Sequence, residues 1–331
     1  MRQPPSVTDT LPLSGGKGMT VGLFRRKKRV TQESQADAEL PLSVDQAARL
    51  RSLARTAFAE AGREVTVYAD HVEDDAGARF GLWNLAALCR EHPTVEWPQL
   101  VHDHVRRLVA SPGPSLEDMS DGELRASTYL RLVEAGGVPD RSWHPTARRL
   151  GDDLLVVLSV DLPETVSTPP ERDWEARGGL DGWREIGAAN LRALLVSDDV
   201  VHERVGHGGA GGDFDVVVGD PFFTGSLPLL MGEVVQRFTP GVDLSRGVLV
   251  VVPFRHQFAW RVVDGPDAAV ALDHLFRFAL LASADAPGPL SPHVFWVRHG
   301  EWRQVTRLFD DQPQVIVEAD LAAALGLDGE Q

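Results

Sequence analysis

Apolar positions along this chain switch repeatedly between a period of about 3.6 and a period of two. The stretch SVDQAARLRSLARTAFAEAG starts at Ser43, carries its apolar residues at helical spacing and ends at Gly62, which predicts a helix. The next stretch, EVTVYAD (64–70), alternates apolar and polar residues as a strand does. The same succession recurs to the end of the chain. The pattern therefore predicts hairpins that alternate with amphipathic helices.

Three further segments complete the first part of this pattern. ARFGLWNLAALC (78–89) is predicted to be the second strand of the first hairpin, interrupted by Gly81 and Asn84. EWPQLVHDHVRRLVAS (96–111) has one apolar face at helical spacing and is predicted to be a helix. DGELRASTYLRLVEAGG (121–137) fits a short helix or a strand, and the pattern alone does not decide between them.

The second part of the chain repeats the theme. TVSTPPERDWEARGG (165–179) is predicted to be a loop because it is rich in Pro and Gly. A helix over 226–238 is predicted to be capped near Ser226, with Pro228 tolerated in its first turn. The other predicted strands and hairpins are 152–162, 199–205 with 214–220, 293–308 and 313–319, and the other predicted helices are 180–197, 266–283 and 320–326.

The segment RGVLVVVPFRHQFAWRVVDG (246–265) carries the clearest pattern. Its five apolar residues from Val248 to Val252 have no polar alternates, which predicts a central strand covered on both faces. Pro253 cannot donate a ladder hydrogen bond, so pairing must end or bulge there. Arg255 and His256 are then predicted to be solvent-facing residues of a hairpin turn.

Strands that alternate with helices as hairpin-then-helix, with no long crossovers, predict an α+β fold with mixed or antiparallel sheets. Three regions follow from composition and pattern. Residues 1–40 are predicted to be a disordered basic tail, because they are rich in Pro, Gly, Ser and Thr and lack any period. Residues 41–150 are predicted to form an N-terminal α+β unit, and residues 151–331 a C-terminal α+β unit packed with it.

Charge and cysteine content narrow the class of protein. The chain has a net charge of −15, and its first forty residues hold seven Lys/Arg against four Asp/Glu, so the rest carries −18. A body this acidic repels the phosphates of nucleic acid, which disfavours nucleic acid as a partner. No stretch approaches the roughly 18–20 apolar residues of a membrane span, and the basic run from Arg25 to Arg29 predicts weak membrane-surface contact at most. The lone Cys89 and the absence of a signal peptide indicate a cytoplasmic protein.

The candidate motifs for chemistry are weak. GHGGAG (206–211) matches G-x-G-x-x-G, but a strand-like segment follows it, so a flexible hairpin loop is favoured over a dinucleotide site. On a helix, His102 and His104 point in directions about 200° apart, which favours a half-buried structural His104 over a metal site. Cys89 is predicted to be buried and inert. No catalytic residue, cofactor or metal is therefore assigned.

Two classes of function remain open. The first is a cytosolic, non-catalytic binding or regulatory protein with a protein or small-molecule partner. The second is an enzyme whose residues meet only in three dimensions, with Asp220, Arg255 and His256 as its core candidates and His71 and Asp75 as further ones. Loops on a rigid sheet often carry sites, which is why the turn after Pro253 is retained as a candidate.

An ordered set of patterns in the second half resembles the YtpQ-like family, a group of bacterial cytosolic proteins described as a domain of unknown function. The resemblance spans roughly residues 45–310. It is carried by LLVVLSVDLPETV, GWREIGAANLRALL, FDVVVGDPFFTGSLPLL, LVVVPFRHQFAWRVVDG and HVFWVRHGEW, in that order. Family members tend to place an acid in the turn after Pro253, where this chain has Arg255 and His256. The resemblance implies a fold and a cytosolic location, and it implies no activity.

Overall fold

The computed structural model describes residues 36–37, 39–75, 79–110, 118–138, 141–162, 165–206, 211–286, 288–309 and 312–327. The tail predicted for residues 1–40 lies outside these residues except at its last few positions. The glycine-rich motif at 206–211 lies outside them at residues 207–210.

The first part of the described chain packs helices against a small antiparallel sheet. Ser43 caps the first helix as its pattern predicts, because its hydroxyl accepts from the N–H of Gln46 (3.3 Å) and the Gln46 side chain accepts from the N–H of Ser43 (3.1 Å). The elements are α1 Val44–Glu60, β1 Val65–Val67, β2 His71–Asp74, β3 Arg79–Gly81, α2 Trp83–Arg90 and α3 Trp97–Ala110. Their apolar side chains form a core that draws only on residues 40–109.

The strand predicted over 78–89 is mostly a helix. Only β3 pairs with β2, and the chain turns into α2 directly after Gly81 and Leu82. Leu85, Ala86 and Cys89 are buried on one face of α2, because residues three and four positions apart lie on the same face of a helix. Gly81 and Asn84, which interrupt the predicted strand, lie at the end of β3 and inside α2.

A four-stranded antiparallel sheet follows. The undecided segment 121–137 contains both structures, because a capping box between Ser120 and Glu123 starts a short helix that passes into a strand at Thr128. The elements are α4 Asp121–Ser127, β4 Thr128–Glu134, β5 Arg148–Leu150, β6 Leu154–Leu162, β7 Thr165–Ser167, α5 Glu171–Glu175 and α6 Leu180–Leu195. β4 pairs with β6 along its whole length, so the sheet spans residue 150, where one predicted unit ends and the next begins.

The prediction of a loop over 165–179 is wrong at residues 165–167 and 171–175. The first of these segments is β7, which pairs with β6, and the second is α5. Pro170 stands just before α5, where a missing N–H costs no helical hydrogen bond. Trp174 on α5 is buried against Trp183, with ring centroids 5.1 Å apart, and this packing fixes the segment in place.

The largest sheet has six antiparallel strands in the order β13-β12-β10-β11-β9-β8. Its elements and those that follow it are β8 Val200–Val205, β9 Phe214–Gly219, a 3-10 helix Thr224–Leu230, α7 Met231–Phe238, β10 Val248–Phe254, β11 Gln257–Val262, α8 Pro266–Asp285, β12 Val294–Arg298, β13 Glu301–Gln304, β14 Thr306–Phe309, β15 Gln312–Val315 and α9 Ala319–Leu325. Hairpins followed by helices recur here, which confirms the α+β class.

The central position of β10 is confirmed. Val248, Val250 and Val252 face a core shared with α6, α7 and the four-stranded sheet. Leu249 and Val251 face a second core formed with α8 and α9. Pairing with β11 shifts between Val251 and Phe254, which is the irregularity that Pro253 requires.

The single helix predicted over 226–238 is two helices. The 3-10 helix holds Pro228, and the α-helix begins only at Met231. Ser226 does not cap it, because its hydroxyl accepts a hydrogen bond from the N–H of Leu132 on β4 (2.9 Å). The Ser226 hydroxyl thus makes a long-range hydrogen bond instead of the local capping bond that the pattern predicts.

Among the described residues, no helix is both long enough and apolar enough to cross a bilayer.

The fold predicts a sharp contrast between two valines. Val250 is fully buried at the centre of β10, so Val250→Asp places an unpaired charge in a dry sheet at a cost of several kcal/mol. That cost approaches the total stability of a typical domain, about 5–15 kcal/mol. We expect insoluble protein on expression.

The control is Val201→Asp on the edge strand β8, where the side chain is 56 % exposed. We expect this variant to stay soluble and to unfold cooperatively in urea. Soluble, cooperatively folded Val250→Asp would contradict the two-sided burial of β10.

Candidate functional site

Arg255 and His256 form the turn between β10 and β11, as the sequence predicts. They do not face solvent freely, because both side chains are partly buried. The main-chain N–H of Arg255 donates to the carbonyl of Gly288 (3.1 Å), and the N–H of Gly225 donates to the carbonyl of Arg255 (2.7 Å). The turn is thus held on both sides by neighbouring loops, which is why its side chains are enclosed.

The hydrogen bonds of His256 define its protonation state. Nε of Arg255 donates to Nε2 of His256 (2.9 Å), so Nε2 carries no proton. Nδ1 lies 3.2 Å from the carbonyl oxygen of Gly219, which can only accept, so Nδ1 carries the proton. His256 is therefore neutral, and both of its ring nitrogens are occupied.

Burial, followed by the charge of Arg255, lowers the pKa of His256. The carbonyls of Gly219 and Pro221 and the carboxylate of Asp220 act in the opposite direction. Asp220 itself is exposed, and no hydrogen bond or ion pair joins it to His256, although the structure describes both residues. The three sequence candidates are therefore neighbours, but they do not form an acid–base pair.

Sequence reasoning missed the two residues that complete this site. Phe222 follows β9, and its ring centroid lies 4.8 Å from the guanidinium carbon of Arg255. The guanidinium carbon of Arg131, on β4, lies 4.6 Å from the same centroid. The two guanidinium groups can lie no further apart than the sum of these distances. We call Arg131, Phe222, Arg255 and His256 the arginine cluster.

Two contacts fasten β4 to the segment that carries Phe222. The Tyr129 ring stacks on Phe223, with centroids 4.2 Å apart and planes at 11°. Three residues after Phe223, the hydroxyl of Ser226 accepts a hydrogen bond from the N–H of Leu132. Arg131 lies between Tyr129 and Leu132 in sequence, so these contacts place its part of β4 near the β10–β11 turn of the six-stranded sheet.

No carboxylate of the described residues forms an ion pair with Arg131 or Arg255. Burial and the nearby charge of Arg255 lower the pKa of Arg131 to about 10, and burial lowers the pKa of Arg255. A cation–π contact contributes about 0.5–2 kcal/mol, whereas removing an ion from water costs several kcal/mol even after relaxation. The Phe222 ring therefore does not offset the charge of the cluster.

Hydroxyl groups lie on the β4 side of the cluster. Nη1 of Arg131 donates to Oγ1 of Thr168 (3.1 Å), and that oxygen lies 2.8 Å from Oγ of Ser159. Neutral oxygens orient the guanidinium without cancelling its charge. The site thus combines two cations, one aromatic ring and a neutral imidazole.

The other sequence candidates lie elsewhere. His71, on β2, pairs through Nδ1 with Asp70 (2.6 Å), and Asp75 is exposed in the turn that follows. The predicted burial of Cys89 is confirmed, and this burial raises the pKa of its thiol to about 11. Burial lowers the pKa of His104, in keeping with a half-buried structural histidine. No group of three potential metal ligands occurs in the described part of the chain.

The uncompensated charge of Arg131 predicts an unusual effect on stability. Arg131→Met nearly keeps the side-chain volume and removes a cation that pairs with no carboxylate of the described residues, so we expect the free energy of unfolding to rise by about 1 kcal/mol or more. Urea unfolding in a buffer without phosphate or sulfate measures it. Arg125→Met is the control, because Arg125 is exposed and lies 5.2 Å from the Trp183 ring; we expect a loss below about 1 kcal/mol. A destabilised Arg131→Met would show that the ring contact outweighs the burial of charge.

The lowered pKa of His256 predicts how its contribution to stability depends on pH. The unfolded state then binds more protons, so the contribution is present above the unfolded pKa of about 6.5. It is lost as the pH falls from there toward the lower folded pKa. The stability of the wild type minus that of His256→Asn, from urea unfolding between pH 8 and pH 5, should be constant above neutrality and decrease below it. A difference that grows in acid would mean that the folded pKa is raised.

No protein-family model, curated protein or solved structure matches this chain. The likeness to the YtpQ-like family therefore rests on the sequence patterns alone. The geometry of the arginine cluster is the ground on which a function can be argued.

Proposed function

We propose that this chain is a non-catalytic binding protein that recognises an anionic group at the arginine cluster. One observation carries the proposal: Arg131 and Arg255 share the Phe222 ring, and no carboxylate among the described residues pairs with either. An arrangement that is electrostatically costly in the free protein becomes favourable when a ligand supplies the missing negative charge.

The state of His256 favours binding over catalysis. A general acid or base needs a ring nitrogen within reach of the substrate. Both nitrogens of His256 are occupied, one by Arg255 and one by the Gly219 carbonyl. Its role in this proposal is to orient Arg255. The alternative, an enzyme built on Asp220, Arg255 and His256, would require His256 to break one of these bonds.

We also propose a cytoplasmic location and membership of the YtpQ-like family. A single buried cysteine suits a reducing compartment. The family patterns include the FDVVVGDPFFTGSLPLL segment, which contains Phe222, and the LVVVPFRHQFAWRVVDG segment, which contains Arg255. The partner is a small molecule or a protein that bears an anionic group.

Calorimetric titration of the full chain at low ionic strength with sodium sulfate and with sodium benzoate tests the proposal. We expect at least one of these anions to bind. Charged hydrogen bonds contribute about 1.5–3 kcal/mol, so Arg131→Gln and Arg255→Gln should each weaken binding at least about tenfold.

Arg277→Gln is the matched control, because Arg277 is 73 % exposed on α8, is paired with Asp273 and takes no part in the cluster. It should bind as the wild type does. Equal weakening by all three substitutions would reveal non-specific attraction. The absence of binding to sulfate, to benzoate and to phenyl phosphate would overturn the proposal.

A further inference from the structure

We propose that the anion is a doubly charged tetrahedral oxyanion, carried in the cell by a phosphomonoester. This inference rests on the proposed function, because it names the ligand of the same site. The arginine cluster supplies two positive charges, a set of unused donors and a fixed geometry, and each of these selects among anions.

The first argument is the charge of the site. Arg131 and Arg255 are the charged members of the cluster, and His256 is neutral. A carboxylate or a sulfonate would neutralise one guanidinium and leave the other uncompensated. A phosphomonoester carries a charge of about −1.5 to −2 at neutral pH and compensates both.

The second argument is the number of free donors. Arg255 uses Nε on His256, and its two terminal nitrogens make no hydrogen bond with the described residues. Arg131 uses Nη1 on Thr168, which leaves Nε and Nη2 without a partner among those residues. A planar carboxylate has two oxygens and can accept two parallel N–H bonds from one guanidinium group. A phosphate group has three terminal oxygens and can accept from the N–H donors of both guanidinium groups.

The third argument is that the protein fixes Arg255 before any ligand arrives. Its guanidinium contacts the Phe222 ring, and His256 holds Nε. On another side lies Gly288, with φ 72°, where a Cβ would stand 2.9 Å from both Nη1 and Cδ of Arg255. Glycine at this position lets the guanidinium lie against the main chain. A donor held in place loses little entropy on binding, which suits a small, compact anion.

Two probes that share a phenyl ring and three terminal oxygens but differ in charge test the inference. Phenyl phosphate is mainly a dianion at pH 7.5, and benzenesulfonate is a monoanion with the same ring and three terminal oxygens. We expect calorimetry on the full chain to show phenyl phosphate binding at least tenfold more tightly than benzenesulfonate. That preference should disappear in Arg131→Gln and in Arg255→Gln and persist in Arg277→Gln.

The outcomes separate this inference from the proposed function. Equal binding of benzenesulfonate and phenyl phosphate, lost in both arginine variants, would overturn the dianion and leave an anion-binding protein. No binding of phenyl phosphate, benzenesulfonate, sulfate or benzoate would overturn both. Binding of phenyl phosphate that survives both substitutions would place it at another site and overturn the inference.

Inorganic phosphate identifies the source of the group. Binding as tight as that of phenyl phosphate would support the doubly charged oxyanion but would overturn the phosphomonoester as the preferred ligand. Binding at least tenfold weaker would support the ester.

Gly288→Ala provides a second variant that keeps both charges. We expect it to displace Arg255 and to weaken phenyl phosphate binding while the chain still unfolds cooperatively. Unchanged affinity in Gly288→Ala would overturn the fixed geometry of Arg255.

Discussion

The burial of β10 on both faces is the constraint on which the rest of the structure depends. A strand of consecutive apolar residues must be covered by two separate layers. Here α8 and α9 supply one layer, while α6, α7 and the four-stranded sheet supply the other. The second layer carries β4, and with it Arg131, to the turn of the β10–β11 hairpin. The arginine cluster thus lies at the end of β10, where the layers that bury this strand meet the β10–β11 turn.

The parts of the fold that local pattern determines could be predicted from the sequence. The helix at Ser43, the central strand β10 and the turn at Arg255 all depend on neighbours within a few residues. The errors arise where a distant partner decides. Trp174 orders its segment by packing on Trp183. Ser226 does not cap a helix, because its hydroxyl accepts a hydrogen bond from the N–H of Leu132. Neither contact leaves a periodic trace in the sequence.

The residues of the site also divide into those that local pattern predicts and those that depend on a distant partner. Arg255 and His256 stood out because a proline-terminated strand must be followed by a turn. Arg131 did not, because it lies about 120 residues away along the chain, in a segment whose secondary structure the pattern left open. Its one signal was an arginine between Leu130 and Leu132 in a strand-like run, a charge where a half-buried side chain was expected. Phe222 stood only within the FDVVVGDPFFTGSLPLL pattern, since nothing local links a phenylalanine to two cations.

Cys89 has a practical consequence that follows from its burial. It is the single thiol of the chain, it is fully enclosed by the first core, and its pKa of about 11 leaves almost no thiolate at neutral pH. Alkylating reagents consume thiolates, so the native fold protects this side chain from them. A cysteine introduced at an exposed position beside the β10–β11 hairpin would then react alone. A fluorophore or a spin label could be attached there in a single step, with Cys89 left in place.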